Sequence, residues 1–139
     1  VTGEFGNSLT SGHHLNFTPR LREGRLLARK HFATAMLDVS DGLLLDAVRL
    51  ACASQVDLVM NPGKVPLRAG AVRETAFSDG EDYELLFTVP QDRCGELERD
   101  WPSDFAPHHC IGTAEQGNGE VRTPAGTILS RNRKIGYEH

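Results

Sequence analysis

The chain has 139 residues, a formal net charge of -4, and 39% hydrophobic against 24% charged residues. That composition suits one domain with a real core and excludes a disordered, fibrous or membrane-spanning chain. The acidic balance argues against a sequence-independent grip on nucleic-acid phosphates, although metal ions can bridge an acidic protein to an anionic nucleotide.

"VTGEFGNSLTSG" opens the chain without a methionine and reads as the end of a strand running into a Gly/Ser/Thr loop. "FTPRLREGRLLARK" reads as a helix capped by Thr18, with Pro19 at its first position. "TAMLDV" is predicted as a short buried strand. A helix follows from Gly42 to about Ser54, where Leu44, Leu45, Val48, Ala51 and Cys52 recur at helical spacing. Cys52 is therefore expected on the buried face as a structural thiol. With Cys94 and Cys110 it makes an odd, sparse set without a C-x-x-C pair, which fits a reducing cytoplasm rather than a disulfide scaffold.

"QVDLVM" is a second strand, "NPGKVPLRAG" a loop, and "AVRETAF" one or two helical turns. "YELLFTVP" is the best strand pattern in the chain, closed by Pro90, and "QDRCGELERDW" is a surface helix. "HHCIGTA" reads as a short strand and "GNGEVRTPAGTIL" as a hairpin. His13-His14 and His108-His109 have no cysteine or carboxylate at metal-ligand spacing, so no histidine-bound transition metal is expected. Strands and helices mix without strict alternation, which implies an α+β domain with a mixed sheet.

Chemistry concentrates in two acidic stretches. In "LDVSDGLLLD", Asp38 and Ser40 share a face if the strand runs to Val39, and Asp41 and Gly42 open the helix. The first N–H groups of a helix lack internal partners and attract phosphate oxygens, while carboxylates beside them suit magnesium. Ser-Asp-Gly is equally good helix-cap chemistry. Asp38 favours the metal reading, because a carboxylate ending a buried strand is costly unless it is paired or bound. In "FSDGEDYELLF", Asp79, Glu81, Asp82 and Glu84 crowd the mouth of the best strand more densely than a turn needs.

Taken together, "TAMLDVSDGLLLDA", "AFSDGEDYELLFTVP" and "CIGTA" resemble the C-terminal domain of thiamine-monophosphate kinases, within the aminoimidazole ribonucleotide synthetase superfamily. "VTGEFGNS", "HLNFTPRL" and the terminal "GYEH" extend the resemblance over nearly the whole chain. It implies residues 1–18 as the end of an N-terminal domain and linker, residues 19–139 as the C-terminal α+β domain, and an N-terminal α/β domain outside this chain. It implies transfer of the γ-phosphoryl group of ATP to thiamine monophosphate, giving thiamine pyrophosphate with Mg2+ in a cytoplasmic homodimer. By motif, Asp38 and Asp41 are the magnesium ligands, Ser40 contacts ATP, and Glu81 contacts thiamine monophosphate. Tyr137 packs on the thiamine moiety. No general base is expected, because the acceptor phosphate oxygen is already ionised. Asp79 stands where the family carries a glycine, and the chain stops at His139, where relatives often carry one more aromatic residue. Two other readings stay open. One is a sister enzyme of the superfamily: selenide, water dikinase, a hydrogenase-maturation protein or a purine-pathway synthetase. The other is a non-catalytic binding domain.

Overall fold

Two antiparallel strands, β1 (Ala35–Val39) and β3 (Glu84–Thr88), pair in a register that sets Val39 opposite Glu84 and Ala35 opposite Thr88. The exit of β1 therefore lies beside the entrance of β3. The computed structural model describes residues 1–129. Among these residues the other α-helices and strands are α1 (Ser8–Ser11), α2 (His13–Asn16), α3 (Leu21–Arg29), α4 (Leu43–Ser54), β2 (Val56–Met60), α5 (Arg73–Ala76), α6 (Cys94–Asp100), β4 (Gly112–Gln116) and β5 (Val121–Arg122), with 3-10 turns at Pro62–Lys64 and Gln91–Arg93. β2 is the centre of a second sheet, antiparallel to β4 and parallel to β5. The class is α+β, as expected. The mixed sheet is three-stranded, and β1–β3 forms a separate ladder.

Helix α4 packs against both β1 and β2 and supplies the largest block of the core. Its buried stripe is Leu43, Leu44, Ala47, Leu50 and Ala51, joined by Phe5, Val39 and Leu58. Cys52 lies just off that stripe and is exposed, so the expected buried thiol is corrected. The helix ends where Gln55 adopts left-handed backbone, with φ 54°. A smaller core of Leu27, Phe32 and Leu97 lies under Trp101.

Three further local readings change. Helix α3 begins at Leu21, with Arg20 as an N-cap that makes no side-chain capping bond, rather than at Thr18 and Pro19. Arg20 is instead committed to Glu84 (below). The strand expected at 108–114 starts only at Gly112, and its residues are exposed throughout. The opening loop contains α1 and α2, preceded by an extended segment that packs on β3. There the Thr2 N–H donates to the Leu85 carbonyl at 3.0 Å, and the Leu85 N–H donates to the Thr2 hydroxyl at 2.8 Å.

Candidate functional site

Because β1 and β3 are antiparallel neighbours, the turn leaving one and the turn entering the other must meet. The Glu81 N–H donates to the Ser40 carbonyl at 2.7 Å, and the Tyr83 N–H donates to the Val39 carbonyl at 2.8 Å. On the other side of the turn, the Leu44 N–H donates to the Phe77 carbonyl at 2.9 Å. The two acidic motifs thus meet at one end of the β1–β3 ladder.

The contact is close enough to require glycine at one point. Gly80 has φ 63°, and a Cβ there would lie 2.9 Å from the Ser40 carbonyl oxygen. Gly80→Ala is expected to lower stability by about 2 kcal/mol, from left-handed strain plus displacement of the Glu81–Ser40 bond. Urea unfolding of the variant measures this, and a loss below about 0.5 kcal/mol would show that the turns adjust freely.

The Ser-Asp-Gly turn does not cap α4 through a side chain, as one of the two sequence readings has it. Gly42 is the N-cap of α4, with φ 119° and no side-chain capping bond. The turn is held from the helix side. Asp46, only 2% exposed, accepts the N–H groups of both Ser40 and Asp41 on Oδ2, each at 3.1 Å. Those two amides are therefore committed to a carboxylate rather than offered to phosphate. Arg49 donates to Asp46 Oδ1 at 2.7 Å and also bonds the Asp41 carboxylate. Asp46 and Arg49 were not singled out from sequence. The signal was present in the second aspartate of "SDGLLLD", one helical turn beyond the motif. Asp38 is exposed, so the cost of burying a carboxylate does not bear on it. β1 alternates between its two faces instead of being buried on both, and Asp38 lies on the open one.

The acids of the second motif alternate in burial on the approach to β3, although only Glu84 belongs to the strand. Asp82 and Glu84 turn inward and are buried, whereas Glu81 and Tyr83 are half-exposed. Asp82 accepts the Gly6 N–H at 3.0 Å and pairs with Arg68 at 2.8 Å, while its Oδ2 has no hydrogen-bond partner among the described residues. Burial pushes its pKa up to about 6 against the opposing pull of Arg68 and the Gly6 amide. Glu84 accepts both prongs of the Arg20 guanidinium at 2.7 Å and the Thr2 hydroxyl at 2.7 Å. These two acids fasten the first residues of the chain to β3. Asp79 accepts the Asn7 N–H and the Thr75 hydroxyl, each at 3.2 Å. It is not among the residues with positive φ, so the backbone there does not call for the family's glycine.

Glu81 and Tyr83 are among those residues, with φ of 60° and 53°. The Tyr83 hydroxyl donates to Glu81 Oε2 at 2.7 Å, and its ring stacks on Phe17 at 4.2 Å between centroids. The phenol pKa is raised, first by that bond to Glu81, then by burial, then by the charges of Glu81, Asp38 and Asp41. Negative charge from both motifs therefore acts on one hydroxyl. Among the described residues, no group of three or more His, Cys, Asp or Glu side chains is arranged to hold a metal ion. Asp38 and Asp41 would supply only part of a cation's ligands. Tyr137 lies outside the described residues.

A pocket of about 240 Å³ lies nearby, lined by Asn7, Ser8, Leu9, Val72, Thr75 and Asp79 among others. None of Asp38, Ser40, Asp41 or Glu81 lines it, so it is not the candidate site.

No family model matches the chain. Comparison with curated proteins finds the thiamine-monophosphate kinase of Pyrococcus abyssi, 30% identical over 161 residues that cover 100% of this chain and 48% of the relative. The thiamine-monophosphate kinase of Escherichia coli K12 is 35% identical over 107 residues, covering 71% of this chain and 32% of the relative. Among solved structures, the thiamine-monophosphate kinase of Stenotrophomonas maltophilia K279a superposes with a TM-score of 0.78 at 27% identity. That match covers 93% of this chain and 50% of the other. AaThiL complexed with AMPPCP and TMP gives a TM-score of 0.67 at 29% identity, covering 91% of this chain and 40% of the other. The chain spans about half the length of the first of these relatives. By sequence and by fold, it is a homologue of the thiamine-monophosphate kinases that corresponds to about half of one.

Proposed function

We propose that the chain is the C-terminal domain of a kinase that transfers the γ-phosphoryl group of ATP to thiamine monophosphate, with Mg2+, giving thiamine pyrophosphate. The observation that carries this reading is the 2.7 Å bond joining the Ser40 turn to the Glu81 turn. It unites a motif suited to a metal–nucleotide complex with one suited to thiamine. The AMPPCP and TMP complex of a structural neighbour supports both substrates.

In this reading Asp38 and Asp41 hold magnesium, Ser40 contacts ATP, Glu81 accepts from the aminopyrimidine, and Tyr137 packs on the thiamine moiety. The donor set fits a hard divalent ion, since both ligands are carboxylates and Asp41 already carries a guanidinium cation. Magnesium supplies charge neutralisation for two polyanions brought end to end. The chain's own work is to fix the Ser40–Asp41 backbone through Asp46 and to present Glu81 beside it. No side chain is assigned to remove a proton, because the acceptor oxygen is ionised near neutral pH. Further acidic ligands and the homodimer interface belong to an N-terminal domain, and the location is cytoplasmic. Among the described residues, no helix is long and apolar enough to cross a membrane.

A coupled assay on the full-length protein tests the proposal, with thiamine monophosphate set against the acceptors of the sister enzymes. Turnover is expected with thiamine monophosphate and ATP, and little from the 139 residues alone. Preference for another acceptor would assign a sister enzyme instead, and no turnover with any acceptor would leave a binding domain.

A further inference from the structure

We infer that Tyr83 is a positioning residue for substrate, which holds the Glu81 carboxylate in its binding orientation. The inference rests on the reading of Glu81 as a substrate contact.

The backbone is the first indication. A bulky aromatic residue at φ 53° is a genuine outlier, and glycine or asparagine would occupy that conformation at lower cost. Glu81, two residues earlier, is also left-handed. Both conformations are imposed by surrounding bonds. The Tyr83 N–H is tied to Val39, the Glu81 N–H to Ser40, and the Glu81 carbonyl accepts the Ser8 hydroxyl at 2.5 Å. Strain held this firmly, at a position where a smaller residue would relieve it, points to use of the side chain.

What the side chain does follows from its contacts. Stacking on Phe17 fixes the ring, so the hydroxyl has a defined place from which to donate to Glu81 Oε2. Glutamate has three rotatable side-chain bonds and loses substantial rotamer freedom when ordered. It is also only half-buried, so water competes for the carboxylate. A donor on a clamped ring opposes both tendencies and leaves Oε1 for a ligand's N–H. Thiamine monophosphate then meets a carboxylate already in place, and its affinity gains from that preorganisation.

The test is steady-state kinetics on the full-length protein at saturating ATP, with calorimetric binding of thiamine monophosphate as a second readout. Tyr83→Phe keeps the ring and its stack and removes only the hydroxyl. It is expected to raise KM for thiamine monophosphate about tenfold, the scale of a lost bond to a charged group, and to leave kcat within about twofold. Glu81→Gln is expected to raise KM by a similar factor. In the Glu81→Gln background, Tyr83→Phe is expected to add less than about twofold, because its route of action is already gone. An unchanged KM and binding constant for Tyr83→Phe, or an effect that multiplies with that of Glu81→Gln, overturns the inference and leaves the role of Glu81 standing. An unchanged KM for Glu81→Gln overturns the substrate assignment itself, and the inference with it.

Discussion

Asp41→Asn in the full-length protein is expected to lower kcat for phosphoryl transfer by about a thousandfold or more, while the thermal midpoint moves by less than about 3 °C. The large effect follows from the proposed role. An amide is a poor ligand for a hard cation, and loss of several kcal/mol of charge stabilisation in the transition state is three decades of rate. The small effect follows from the structure. The Asp41 side chain is 16% exposed, but its ion-pair partner Arg49 is 49% exposed and can still donate to an asparagine oxygen, so the cost stays at about 1 kcal/mol. Asp46→Asn is the contrasting control. Its buried carboxylate binds two turn amides and Arg49, so that variant should lose stability together with activity. Kinetics and melting curves on the two variants decide the matter. If Asp41→Asn retains normal kcat, Asp41 is not a magnesium ligand.

Glu84→Ala is expected to destabilise the fold by about 3–5 kcal/mol, the largest stability effect of any single substitution considered. Glu84 is 1% exposed, and both of its oxygens are engaged by Arg20 and Thr2. Truncation strands a guanidinium whose side chain is only 17% exposed. It also leaves the Thr2 hydroxyl without its acceptor and opens space beneath Gly3, where the Glu84 carboxylate leaves no room for a Cβ. By contrast, Arg22 and Asp104 pair at the same 2.7 Å with side chains 66% and 63% exposed, and breaking that pair should cost less than about 1 kcal/mol. Denaturant midpoints at constant m-value compare the two. A cost for Glu84→Ala no greater than that for Arg22→Ala would mean that the opening segment is not fastened through this carboxylate.

Much of the fold was legible in local pattern. The apolar spacing from Leu43 to Ala51 marks α4, and "YELLFTVP" marks β3, because periodicity reports which face of an element is buried. Both motifs of the candidate site were visible for the same reason, as acid clusters at predicted element ends. Their meeting was not legible. It depends on the antiparallel register of Val39 with Glu84, and no short-range pattern encodes pairing between strands so far apart in the chain. Cys52 was misplaced because it follows Ala51 at the margin of the α4 stripe, where one helical step carries a residue from core to solvent. The exposure of Asp38 is not legible either, because a short apolar strand looks the same whether one of its faces is covered or both. The partners of the buried acids, Arg20 for Glu84 and Arg68 for Asp82, come from distant segments that only the folded chain brings together.

The alternation at the mouth of β3 has a consequence for how such a chain can change length. Inward Asp82 and Glu84 anchor the opening segment, while outward Glu81 and Tyr83 face the site, and a single residue separates the two sets. Inserting or deleting one residue between Gly80 and Glu84 would exchange them, turning the anchors to solvent and the site residues into the core. A length change there therefore damages folding and chemistry in one step. The exposed turn at 124–126, beyond β5, carries no core side chain and can grow or shrink with far less damage. Among descendants of this sequence, gaps should collect at that turn and be purged from the approach to β3.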